Sequence, residues 1–175
     1  MIKTQAPTFT DYGLEFTSLY ARDDTDLIVI HHTGNLTDDD LSAERIHYMH
    51  LQNGWSGIGY HYVIRKDGTI EFGRPEWAVG AHAQGYNRNS IGIHLCGNFE
   101  LAEPTQAQIE SCAYLVGWLC EKYGLIPNAT HVVGHRDLMA TACPGKYLYE
   151  QMDTLRGKAA WYMKHYKNGY YEENA

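Results

Sequence analysis

The chain has 175 residues, 44% of them hydrophobic, enough to bury one sizeable core and too few for a second folded module. Fourteen basic against twenty-one acidic residues leave a net charge of −7, which argues against nucleic acid as a partner and against adhesion by charge to an anionic membrane or wall polymer. No stretch approaches the ~18 apolar residues of a membrane span, and Met1 to Pro7 lack the apolar region of a secretory signal, so a soluble protein without a membrane segment is expected.

Residues 1 to 26 are mixed and polar, with apolar positions at Phe9, Tyr12, Leu14, Phe16 and Leu19 that predict an arm packed on the domain. Leu27-Ile28-Val29-Ile30 reads as a buried central strand running into His31-His32-Thr33-Gly34. Thr37-Asp38-Asp39-Asp40 is rich in capping side chains, and Leu41, Ile46, Met49 and His50 fall near helical spacing until Asn53-Gly54, predicting a helix of about three turns. Tyr60 to Arg65 and Thr69 to Phe72 flank Lys66-Asp67-Gly68 and predict a hairpin. Residues 73 to 90 fit no period and are rich in aromatic and histidine side chains, as segments that line binding sites often are.

Ile91 to Leu95 reads as a further strand, with Gly92, His94 and Cys96 facing opposite to Ile91, Ile93 and Leu95. Pro104-Thr105 opens the longest predicted helix, to about Tyr123, with Ile109, Cys112, Ala113, Val116, Leu119 and Cys120 as its apolar stripe and Gly124 as its stop. His131-Val132-Val133 predicts a short strand, Lys146 to about Tyr166 a helix, and residues 167 to 175 a frayed polar tail. Strands alternating with helices, with one hairpin, predict a single α/β domain built on a mixed central β-sheet flanked by helices.

Four cysteines invite a disulfide reading, but Cys112 and Cys120 share a helix and stand ~12 Å apart at 1.5 Å per residue, beyond the ~7 Å that a disulfide bridges. Both read as buried apolar side chains. Cys143 differs: it follows His135 by eight residues on a loop that leaves a strand and stops at Pro144-Gly145, a pairing that suits zinc. A histidine at the carboxyl end of the strand at residue 27 supplies a third ligand, and three ligands with one open position form the catalytic rather than the structural zinc pattern. His47 and His50, three apart on one helix face, also fit a metal pair; the plainer reading puts them at the edge of a groove.

Ten blocks carry a family resemblance in order: Ile30-His31-His32-Thr33, Gly54-Trp55, Gly57-Ile58-Gly59-Tyr60-His61-Tyr62, Lys66-Asp67-Gly68-Thr69, Gly73-Arg74, Gly80-Ala81-His82, Gly85-Tyr86-Asn87, Ser90-Ile91-Gly92-Ile93, Gly134-His135-Arg136-Asp137 and Ala142-Cys143-Pro144-Gly145. In these the chain resembles the type-2 zinc-dependent N-acetylmuramoyl-L-alanine amidases, which include amidase-type phage lysozymes and peptidoglycan recognition proteins. The resemblance implies a zinc enzyme that hydrolyses the amide between N-acetylmuramic acid and L-alanine in peptidoglycan or muropeptides, with His31, His135 and Cys143 as metal ligands. It implies Tyr60 and Thr141 as oxyanion partners and His32, Thr33, His50, Trp55 and His82 as groove residues. The Gly54-Trp55 pair implies a preference for diaminopimelate stems.

His94 stands where the wall-recycling branch carries a catalytic glutamate, and an imidazole with an ordinary pKa near ~6.5 there is a candidate proton relay or, equally, a structural residue. The close cysteine pair of animal recognition proteins is absent from Asn35 to Asp40, which favours a bacterial or phage origin. The expected setting is synthesis in the bacterial or phage-infected cytoplasm and action at the cell wall. A non-catalytic recognition module of the same fold is the main alternative, and a metal hydrolase of another amide a more distant one. Residues 27 to 166 are expected to form the catalytic domain.

Overall fold

A computed structural model describes residues 6–167. Among them, six strands form one sheet in the order β1-β4-β3-β5-β2-β6: β1 (Phe9–Thr10), β2 (Leu27–His32), β3 (Tyr62–Ile64), β4 (Ile70–Phe72), β5 (Ser90–Leu95) and β6 (Val132–Gly134). β2 lies parallel between β5 and β6, β3 runs parallel to β5, and the β3–β4 hairpin supplies the antiparallel pair that makes the sheet mixed. The predicted hairpin and both long strands are present. β1, two residues long and parallel to β4, adds an edge strand that no sequence period announces.

Helices cover both faces. α2 (Gln106–Tyr123) carries the expected stripe fully buried, and Thr105 and Gln108 close a reciprocal capping box at its start. It packs with α4 (Met152–Lys167) over Ile28, Ile30, Ile91, Ile93 and Leu95. On the other face, α1 (Ala43–Gln52) packs through Ala43 and Ile46 against Ile58, Val63 and Cys96, with Leu14 and Phe16 of the N-terminal segment closing over them. Tyr12 reaches the same region, its hydroxyl donating to Glu71 Oε1 at 2.7 Å.

Two expectations need correction. α1 begins at Ala43 with Ser42 as its cap, later than Thr37 to Asp40 suggested. Those aspartates are used across the fold instead: Asp40 pairs with Arg65, and Asp38 takes Lys66 Nζ and the Asn98 N–H. The helix after Pro144 is two helices, α3 (Lys146–Glu150) and α4, separated at Gln151. The predicted tail from residue 168 onward lies outside the described residues. All four cysteines are free thiols, as read for Cys112 and Cys120.

His61 sits in this core at 1% exposure, its Nε2–H donating to the Ala78 carbonyl and its Nδ1 accepting the Gly92 N–H. Burial, assisted by Arg22 and Arg74 and opposed by the Ala78 carbonyl and Glu76, lowers its pKa to about 4. The folded state therefore refuses a proton that the unfolded chain accepts below pH ~6.5. Stability is complete above that pH and falls toward pH 4, by roughly 3 kcal/mol from this residue alone. Guanidinium unfolding of His61→Gln is expected to lose part of the wild-type pH slope between 6.5 and 4; an unchanged slope contradicts the assignment.

Candidate metal centre and its groove

Alternation along β2 sends His31 to the α1 face and His32 to the α2–α4 face. His31 lies beside His94, its register partner on β5. β6, on the other side of β2, ends at Gly134 and delivers His135 on a 3-10 turn, His135–Asp137. The loop then returns Cys143 to the same place, and its ends are tied by the Arg136 N–H to the Cys143 carbonyl at 2.8 Å. Asp137 braces it from below, accepting the Gly134 N–H at 2.8 Å and the Tyr149 hydroxyl at 2.5 Å.

One nitrogen from His31, one from His135 and the Cys143 sulfur lie within 4.8 Å of one another, the one such His/Cys/Asp/Glu group among the described residues. Cys143 Sγ is 3.6 Å from His31 Nδ1. Two ligands at about 2.3 Å (sulfur) and 2.0–2.1 Å (nitrogen) around a tetrahedral ion stand about 3.6 Å apart, so the spacing and the soft donor set both fit zinc. Burial pushes the Cys143 thiol up to about 12, the His32 backbone N–H opposing it. Burial and neighbouring histidines hold His31 well below its ordinary pKa, and burial lowers His135, so both imidazoles are neutral and have a lone pair to give.

The centre opens onto a cleft of about 440 Å³ whose lining includes Trp55, Tyr60, Ala83, Gln84, His135 and Met139. The Tyr60 ring is 5.1 Å from His31 and stacks on His94 at 4.7 Å. Burial, then the charge of Cys143, raises the Tyr60 pKa, so its hydroxyl keeps its proton at neutral pH. The Thr141 hydroxyl oxygen accepts the Cys143 N–H at 3.2 Å, which leaves its hydrogen free to donate. His50 accepts the Gly59 N–H at Nδ1, which places its own proton on Nε2, and its ring lies 4.5 Å from Trp55. Burial, with Arg74 and His47 adding, lowers its pKa to about 4. A larger cavity of about 490 Å³ lies between the N-terminal segment and α2, away from these ligands.

Other expected site residues are engaged inside the protein. His32 is 7% exposed and its Nδ1 accepts the Phe99 N–H at 3.1 Å. Thr33 Oγ1 bonds His94 Nε2 at 2.8 Å and accepts the Gly97 N–H at 3.1 Å. His82 contacts the cleft but spends Nδ1 on His31 and Nε2 on Ser90. His94 is 1% exposed, its Nδ1 has no partner, and burial, followed by His32 and His50, lowers its pKa to about 3. His47 accepts the Ile58 N–H and bonds the Glu15 carbonyl, and it is not among the three grouped donors. Sequence reasoning gave no role to Met139, whose sulfur lies 3.0 Å from His135 Nε2; its i+4 spacing from His135 was the available signal.

A mixed sheet that gathers two imidazoles, a thiol and a protonated tyrosine in one place has the donor set that a metal-assisted hydrolase needs. The chain belongs to the N-acetylmuramoyl-L-alanine amidase family, whose model matches residues 21–146. Among its relatives, the endolysin of Escherichia phage T7 is 39% identical over 129 residues, covering 70% of this chain and 82% of that protein. A peptidoglycan recognition protein of Trichoplusia ni is 35% identical over 134 residues, covering 73% of this chain and 72% of that protein. In structure the chain is similar to the N-acetylmuramoyl-L-alanine amidase LysC from Clostridium intestinale, at a TM-score of 0.77 and 38% identity over 85% of this chain and 97% of that one. It is accordingly an amidase acting on peptidoglycan, of a family whose enzymes are typically zinc-dependent.

The loop that presents Cys143 depends on Gly145, held at φ +90°, where an added Cβ would come within 2.6 Å of the Phe99 backbone. Gly145→Ala is expected to destabilise the fold by about 2 kcal/mol or more in chemical denaturation; an unchanged midpoint contradicts the strain argument.

Proposed function

We propose that the chain is a zinc-dependent lytic amidase in which His31, His135 and Cys143 hold the ion. The observation that carries this reading is the 3.6 Å separation of Cys143 Sγ and His31 Nδ1 within a group of three soft donors. When bound, zinc supplies Lewis acidity toward the attacking water and the scissile carbonyl. The Tyr60 hydroxyl, kept protonated, donates a hydrogen bond to the carbonyl oxygen as charge develops there, and Thr141 donates a second. His94 stays neutral beneath Tyr60 and steadies that ring through its bond to Thr33. Trp55 and the Nε2–H of His50 form the wall against which the peptide stem lies, consistent with a diaminopimelate preference.

Residues 27 to 166 make up the catalytic domain in this reading, with the preceding segment as an arm packed on it. The substrate is peptidoglycan or its muropeptides. Relatives named as endolysins support action at the cell wall after synthesis in the bacterial or phage-infected cytoplasm. No helix among the described residues is long and apolar enough to cross a membrane. Against the recognition-module alternative, the residues expected to hold the ion and Tyr60 are all present in the chain.

The test is a defined N-acetylmuramyl-L-alanyl peptide, with release of free L-alanine amine ends followed by mass spectrometry. Chelation is expected to abolish release and one equivalent of zinc to restore it. Tyr60→Phe should keep its zinc and its KM while kcat falls about 100-fold. Saturable binding without release by the zinc-loaded wild type would overturn the proposal.

A further inference from the structure

We propose that His82 is a positioning residue for the metal centre, fixing the proton of His31 on Nε2 so that Nδ1 faces the ion. The inference rests on the metal assignment just made and gives His82 a different task from that of a groove residue.

A neutral imidazole carries one N–H, so what one nitrogen does dictates the other. His31 Nδ1 faces Cys143 Sγ, and its Nε2 lies 2.9 Å from His82 Nδ1. If Nδ1 gives its lone pair to a metal, the His31 proton sits on Nε2 and is donated to His82 Nδ1. The His82 proton is then forced onto Nε2, which lies 3.2 Å from Ser90 Oγ, an acceptor on a fully buried residue. A single order of donors therefore runs from the metal face through His31 and His82 to Ser90, across β2, the loop at 81–83 and β5.

The surroundings are shaped to hold the ring of His82 in that pose. It meets His31 edge-on, at 90° between the planes. A Cβ at residue 92 would lie 2.6 Å from His82 Cγ, and one at residue 80 would lie 2.6 Å from Cδ2, so glycine at both positions is what makes room for the ring. The Asn87 side-chain oxygen accepts the N–H groups of His82 and Ala83 at 2.9 and 3.0 Å and fixes the loop beneath. Rotating the ring by half a turn would replace both hydrogen-bonding nitrogens with carbons. Metal-binding histidines most often donate to a carboxylate, carbonyl or water; an imidazole in that place orients the ligand while adding no negative charge to the centre.

Zinc affinity is measured by competition with a chromophoric chelator. His82→Ala is expected to weaken zinc binding about 10- to 100-fold, and His82→Asn, whose side-chain oxygen stands near the place of Nδ1, to recover most of the loss. Nitrogen-15 NMR of the zinc-loaded wild type should find His82 protonated on Nε2 and bare on Nδ1, a readout that needs no variant to fold. Wild-type zinc affinity in His82→Ala, an Asn variant no better than Ala, or a proton on His82 Nδ1 would each overturn the inference. A wild type that binds no zinc would instead remove the metal assignment beneath it.

Discussion

The structure depends on one approach: two imidazole nitrogens and a sulfur, from positions up to 112 residues apart, brought within 4.8 Å of one another. Polar groups buried at such density are costly unless each has a partner. β2 is held on both sides where His31 leaves it, since β5 and β6 flank it in parallel so that all three strand ends open on the same side. The loop from Gly134 to Gly145 is short, tied at its neck and braced by Asp137, which turns a connection into a fixed platform. α2 and α4 supply the apolar mass on the far face that makes this rigidity affordable.

Around the centre, burial keeps histidine after histidine neutral. His31, His82 and His94 are each lowered, with desolvation as the leading cause in every case. A neutral imidazole is a directional object with one donor and one acceptor, and the network exploits that: His50 takes the Gly59 N–H, His61 takes the Gly92 N–H, and His32 takes the Phe99 N–H. The site is thus organised by hydrogen-bond direction rather than by opposed charges. Tyr60, whose hydroxyl burial also keeps protonated, fits the same pattern.

Much of this was legible in the chain. The runs at Leu27 and Ile91 and the stripe from Ile109 to Cys120 are strong periodic signals, and residue chemistry with block order singles out His31, His135 and Cys143, which the fold groups together. What escaped was whatever depends on long-range partners. Asp38 and Asp40 have the chemistry of helix caps and are taken by Lys66, Arg65 and Asn98. Phe9–Thr10 is too short for any period to mark, and Gln151 interrupts a helix without a glycine or proline. His32 could have been separated from His31 by strand alternation alone. His82 could not have been read as His31's partner, because 51 residues separate them and only the fold closes the distance.

The most direct test of the account is X-ray absorption at the zinc edge of the metal-loaded protein. It predicts one sulfur at about 2.3 Å and two imidazole nitrogens at about 2.0–2.1 Å, with a light atom in the remaining position. A shell without sulfur, or one with two sulfurs, would contradict the assignment of His31, His135 and Cys143 as the centre on which the fold is built.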